Sequence, residues 1–158
     1  TIYGSGLRIS ELLNLRIADV HSDDGYLFIK DSKGKKDRKT ILPEQLILLL
    51  RTYYKAYKPS YWLFEGQTGC KYSTSSIRSI FRKAVKDTNS NPWATVHTLR
   101  HSFATHCIEN NINIRHLQNM LGHGSPKTTE IYTKTIEINN KTIISPLDSL
   151  LKNNTLHG

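Results

Sequence analysis

The sequence predicts a mainly α-helical domain with one small antiparallel β-sheet or hairpin, an α+β fold. Apolar residues recur at helical spacing through most of the chain, and one alternating stretch near residues 26–42 reads as two strands about a basic turn. No internal repeat or low-complexity tract interrupts these segments. The 158 residues, 37% hydrophobic and 22% charged, are one domain's worth. A folded domain of this size buries roughly two thirds of its unfolded surface, and the apolar fraction, with Leu and Ile spread throughout, excludes wholesale disorder and collagen-like or mucin-like classes.

Each element has a local reason. Residues 7–15 repeat apolar side chains at helical period and predict a first helix, and residues 21–25 supply turn chemistry before a strand over residues 26–29. Residues 32–36 form a hairpin tip, and residues 38–42 return as the partner strand. Pro43 then opens a helix over residues 44–57, closed by Lys58, Pro59 and Ser60. Residues 61–64 read as extended and 66–73 as loop, after which Ser73 or Thr74 caps a helix reaching about residue 87. The run 89–92 interrupts. Residues 97–109 give the clearest helix, Asn113 caps another ending at Leu121 and Gly122, and Ser125 with Pro126 starts a third. A last apolar stripe, Leu147, Leu150 and Leu151, lies in the tail over residues 142–158. The chain begins at Thr1 with its first periodic segment under way, so a piece of a longer protein is expected.

Charge narrows the function. The formal net charge is +9 and the isoelectric point about 9.6, a surplus that favours a polyanion, with nucleic acid foremost. The longest apolar run, residues 46–50, is far short of the roughly 20 residues a membrane helix needs, so no membrane partner is expected. Of the two cysteines, Cys107 falls on an apolar helix face, so a disulfide framework is not expected and a reducing, intracellular compartment is.

Two arginines sit in unexpected places. On a wheel of the helix over residues 97–109, Thr98, Ser102, Thr105 and Glu109 form the wet face. Phe103, Ala104, Cys107 and Ile108 form the apolar face, and His97 and Arg100 fall among them. An isolated arginine there is explained by snorkelling or by a buried carboxylate partner. The first helix repeats the anomaly, since Arg8 shares a face with Leu12 and Leu15, beside Glu11, which can orient its guanidinium. Two inward arginines call for an inward anion, and the planar guanidinium fork matches two phosphate oxygens. The hairpin adds Lys30, Lys33, Lys35, Lys36, Arg38 and Lys39. Such a run is often a charged edge strand, but in a chain of this net charge it favours DNA contact. His123 occupies a short corner after Gly122, and Tyr132 follows nine residues later. His97 and His101 have i,i+4 spacing but lack the accompanying residues of a zinc motif, so no metal site is expected.

Taken in order, the stretches at residues 6–12, 33–38, 97–101 and 121–132 resemble those of the tyrosine recombinases, the phage-integrase and Xer-type enzymes. Each motif is short, but four in the right order make a specific signal, and the resemblance spans residues 4–133. It implies the tyrosine recombinase catalytic-domain fold, with Arg8, Lys33, His97, Arg100, His123 and Tyr132 as active-site residues and Glu11 supporting Arg8. It implies site-specific DNA recombination or integration through a 3′-phosphotyrosine, without ATP, metal or other cofactor. Tyr132 would be the nucleophile, Arg8, Arg100 and His123 would hold the non-bridging oxygens, His97 would accept the tyrosine proton, and Lys33 would protonate the departing 5′ oxygen. It further implies double-stranded DNA as partner, an amino-terminal DNA-clamping domain missing from residues 1–158, and a homotetramer on two duplexes in the full-length protein. Accessory DNA-bending proteins, a tail packing in trans and a bacterial cytoplasmic, nucleoid-associated location also belong to that expectation. A type IB topoisomerase-like enzyme and a catalytically silent DNA-binding module remain as alternatives.

Overall fold

The computed structural model describes residues 1–30, 37–66 and 68–122. Lys33, Lys35, Lys36, His123, Tyr132, the Ser125–Pro126 helix start and the tail stripe therefore lie outside the described residues.

The first helix expected over residues 7–15 is the shorter α2 (Ile9–Leu13), and it is preceded by a short helix outside that expectation, α1 (Ile2–Ser5). The break lies at Gly6, whose φ of 65° is left-handed. A Cβ there would stand 2.5 Å from Cδ1 of Phe103, so the backbone rests directly on that ring. Arg8 is thus the extended residue preceding α2 rather than part of its interior, and Leu15 lies beyond its end. The Glu11 carboxylate accepts the Arg8 backbone N–H at 2.7 Å, satisfying one donor of the helix start.

A 3₁₀ turn (Ile17–Asp19) leads into a three-stranded antiparallel sheet of β1 (Val20–His21), β2 (Tyr26–Ile29) and β3 (Arg38–Ile41), in that spatial order. β1 lies where the sequence reads as a turn; a two-residue strand carries too little alternation to be recognised. The register pairs Leu27 with Thr40 and Ile29 with Arg38. Because side chains alternate across a strand, Arg38 and Thr40 point to the same face as the buried Leu27 and Ile29, while Lys39 points outward. Thr40 Oγ1 donates to the Ser5 carbonyl at 2.8 Å, tying the sheet to the end of α1.

The longer helices follow their sequence signals closely. They are α3 (Glu44–Tyr57), α4 (Thr74–Asp87), α5 (Val96–Glu109) and α6 (Ile114–Leu121). Ser73 Oγ accepts from the Ser76 N–H and Asn113 Oδ1 from the Arg115 N–H, the two expected caps. Thr95 caps α5, which begins at Val96, one residue before the expected start. Residues 61–64 contribute only an isolated bridge between Trp62 and Arg16. One cluster around Leu7, Leu27, Leu46 and Leu63 joins the sheet to α2 and α3, and a second around Phe103, Cys107, Leu117 and Leu121 joins α5 to α6. Burial pushes the Cys107 thiol up to about 12, leaving it an unreactive part of that core. Among the described residues no helix is long and apolar enough to cross a membrane.

Candidate active site

Three arginines from three elements meet at one carboxylate. Glu11, on α2, accepts Arg8 Nη1 at 2.7 Å and a two-pronged contact from Arg38, Nη1 at 2.7 Å and Nη2 at 2.9 Å. Arg100 Nη1, from α5, lies 3.6 Å from the second carboxylate oxygen. Burial, the strongest single influence, pushes the Glu11 carboxyl up. The Arg38 hydrogen bonds, the Arg8 N–H and the nearby positive charges together outweigh it and hold the carboxyl down at about 2. Glu11 is therefore an anion that partly offsets a cluster of three cations.

The same three guanidiniums grip the last turn of α6. Arg38 Nε donates to the Met120 carbonyl at 2.8 Å, Arg100 Nη2 to Leu121 at 2.7 Å and Arg8 Nη2 to Gly122 at 3.2 Å. Helix carboxyl ends leave carbonyls without intrahelical partners and carry partial negative charge, so three successive acceptors attract three cations. Arg100 also donates to the Gly6 carbonyl at 2.5 Å, the backbone oxygen exposed by the break between α1 and α2. Gly122 closes α6 with φ 63°, and the next residue in the chain is His123. The arrangement thus fixes the corner from which His123 departs.

The arginines differ in access. The Arg38 and Arg100 side chains are 9% and 5% exposed, whereas Arg8 is 30% exposed. Arg8 opens onto a cavity of about 620 Å³ whose other polar lining residues are Ser10, Arg78, Arg82, Thr95 and His97, with Leu7, Ile9, Phe81 and Val96 as its apolar wall. None of the described residues lining it is acidic. Arg82 Nη1 is anchored to the Pro92 carbonyl at 2.8 Å, which ties α4 to the segment leading into α5.

The structure thus brings together Arg8, Glu11, Arg100 and His97 of the expected site residues. His97 is exposed, although the helical wheel places it on the apolar face. It sits in the first turn of α5, where that face has passed the edge of the core and opens into the cavity. Arg38, expected as a DNA contact, is corrected to an interior residue, because strand alternation and the Glu11 carboxylate draw it inward. Lys30 and Lys39 remain exposed, and Lys39 Nζ lies 4.1 Å from the centre of the Tyr26 ring. Arg78 and Arg82 escape the sequence reading. Their i,i+4 spacing on α4 is the available signal, yet it is also that of an ordinary solvated helix face. Among the described residues no three His, Cys, Asp or Glu side chains gather as a metal-binding group.

A mostly helical domain with a small three-stranded antiparallel sheet, presenting paired arginines at a helix corner, has the fold of a tyrosine recombinase catalytic domain. Residues 1–137 match the model of the phage integrase family, and the chain belongs to that family. It is 39% identical to the tyrosine recombinase XerA of Pyrococcus horikoshii over 137 residues, 84% of this chain and 47% of that protein. It is 31% identical to an integrase/recombinase of Escherichia coli, covering 94% of this chain and 57% of the relative. Among solved structures, a crystal structure of XerA recombinase matches with a TM-score of 0.77 at 31% identity, covering 99% of this chain and 54% of that one. The XerH site-specific recombinase bound to a palindromic difH substrate, in a post-cleavage complex, matches with a TM-score of 0.73 at 28% identity, covering 86% of this chain and 40% of that one. The chain spans about half the length of the curated relatives it matches.

Proposed function

We propose that this chain is the catalytic domain of a site-specific DNA recombinase that cleaves and rejoins strands through Tyr132. The observation that carries the reading is the convergence of Arg8, Arg100 and the α6 corner around Glu11, with Arg8 and His97 opening onto one basic cavity. Tyr132 Oη attacks the phosphorus in line, an Oη–P bond forms, and the bond from phosphorus to the 5′ oxygen breaks. The tyrosine proton passes to His97 and Lys33 gives a proton to the departing oxygen. The reverse attack by a 5′-hydroxyl restores the diester, so the bond energy is conserved and no ATP is consumed.

Arg8 and Arg100 hold the non-bridging oxygens, with His123 as a further donor from the corner that follows Gly122. Arg8 reaches the phosphate from the cavity surface, and Arg100, only 5% exposed, reaches it from the buried side beneath. Donors already fixed by Glu11 and by backbone carbonyls need little reorganisation as negative charge develops on the phosphate. Arg78 and Arg82 extend the cation track along α4, one helical turn apart, to neighbouring phosphates of the same duplex. Lys30 and Lys39 on the sheet, with Lys35 and Lys36 at the hairpin tip, add backbone contacts that position without reading sequence. The full-length protein acts as a homotetramer on two duplexes, with an amino-terminal domain clamping the opposite face of the DNA, the tail over residues 142–158 docking on a neighbouring copy, accessory DNA-bending proteins assisting, and the bacterial nucleoid as its location.

The test is single-turnover cleavage of a nicked duplex that traps the covalent intermediate, run with the full-length protein in EDTA. Covalent complex is expected in EDTA, and Arg8→Ala should lower its rate by about a hundred- to a thousandfold, the scale of removing one pre-set donor. Binding without any covalent complex from the wild-type protein would leave a DNA-binding module instead.

A further inference from the structure

Arg38 has no part in the chemistry proposed above, yet its guanidinium is fully engaged. Opposite Ile29 in the sheet register, its side chain is directed inward and is only 9% exposed. Its guanidinium uses all three nitrogens: Nη1 and Nη2 fork onto Glu11 and Nε holds the Met120 carbonyl. The corner backbone lies directly on this side chain. A Cβ at Gly122 would stand 2.8 Å from Arg38 Cδ and 3.0 Å from Nε, so any larger residue there would have to displace the Arg38 side chain as well as adopt a φ of 63° that favours glycine.

We propose that Arg38 is a positioning residue for DNA cleavage, a strut that locks Glu11 and the last turn of α6 into one unit and so fixes Arg8 relative to the corner leading to His123. The inference rests on the DNA-cleaving reading of the chain. The chemistry explains why arginine is needed. Only a planar guanidinium can fork onto a carboxylate while its Nε donates to a third acceptor, whereas a lysine ammonium is a single point of charge. Arg8 shares the same carboxylate oxygen, Oε1, with Arg38, so the orientation of the surface arginine is inherited from the buried one. Misplacing a catalytic group by about 1 Å costs on the order of a hundredfold in rate.

Glu11 is faced by Arg8 from the start of α2, by Arg38 from β3 and by Arg100 from α5. Without Arg38 it keeps its burial but loses its best partner, so its carboxyl should titrate at a higher pH. This gives a signature that a surface phosphate contact would not share. In full-length protein, Arg38→Ala should slow single-turnover cleavage of a nicked duplex about ten- to a hundredfold at saturating DNA, with Kd within about threefold of wild type. Arg38→Lys should recover only a minor part of the rate. The ratio of variant to wild-type rate should fall further as the pH is lowered from 7 to 5, when Glu11 begins to take up a proton. Lys39→Ala should instead weaken binding and flatten its salt dependence by about one contact.

An Arg38→Ala rate within threefold of wild type would overturn the proposal, as would a loss of affinity and salt dependence matching that of Lys39→Ala. If Arg38→Ala fails to fold, Arg38→Lys carries the same rate and pH tests. If the wild-type protein binds DNA without cleaving it, the DNA-cleaving reading fails. Amide hydrogen exchange at residues 120–122 then decides for Arg38: faster exchange in the variant supports the strut, and unchanged exchange overturns it.

Discussion

Replacing Glu11 by glutamine should destabilise the domain far more than an isosteric change at the surface would. The carboxylate is held at about 2 against an ordinary value of 4.5, and at about 1.4 kcal/mol for each factor of ten in proton affinity this corresponds to about 3 kcal/mol. With the Glu11 side chain only 10% exposed, solvent screening removes little of that figure. It also falls in the range of about 3–5 kcal/mol for removing one partner of a buried ionic cluster. The new amide nitrogen would face guanidinium donors, and three like charges would be left without their anion. Because the folded carboxyl titrates below the unfolded one, this stability is fully present above about pH 4.5 and is lost as the pH falls towards about 2. The assay is thermal and urea unfolding of wild type and Glu11→Gln across that range. At neutral pH the variant should melt about 6–12 °C lower, and the gap should narrow as acid protonates the wild-type carboxylate. Melting within about 2 °C of wild type at neutral pH would refute the view that Glu11 organises the cluster.

Gly6→Ala should cost about 2–4 kcal/mol in urea unfolding, since it joins a left-handed backbone to a 2.5 Å approach to the Phe103 ring; a cost below about 1 kcal/mol would mean that the ring yields. The Arg78→Ala/Arg82→Ala double variant should reduce the slope of log affinity against log salt by about two phosphate contacts, and an unchanged slope would remove α4 from the interface. Lys33→Ala should slow cleavage strongly at nearly unchanged affinity, and DNA with sulfur in place of the bridging 5′ oxygen should restore the rate, because a thiolate leaves without protonation. No rescue by sulfur would take the lysine out of the acid role.

Much of this architecture was legible from local chemistry. Caps at Ser73 and Asn113, Pro43 before α3 and Gly122 after α6 mark boundaries through backbone groups that need a partner or a special φ, and such needs are written in single residues. α1 and the break at Gly6 were harder to read, because a four-residue helix carries too little periodicity and the cause of the break is the ring of Phe103, far away in sequence. The inward turn of Arg38 was present in the alternation of β3, opposite Ile29, but the basic composition of the hairpin drew attention to charge rather than to face. Glu11 could be seen as a partner for Arg8 at i+3; that it also gathers Arg38 and Arg100 depends on tertiary packing. The exposure of His97 follows from the same limit, since a wheel assigns faces without showing where the core ends.

The central claim is that a tyrosine, and this tyrosine, carries the DNA. Full-length protein trapped on a nicked duplex can be digested with trypsin and nuclease, and the nucleotide-bearing peptide sequenced by mass spectrometry. The account predicts a phosphodiester-linked nucleotide on Tyr132, in the peptide spanning residues 128–134, and no adduct from Tyr132→Phe. An adduct on any other residue, or one that persists in Tyr132→Phe, would contradict it.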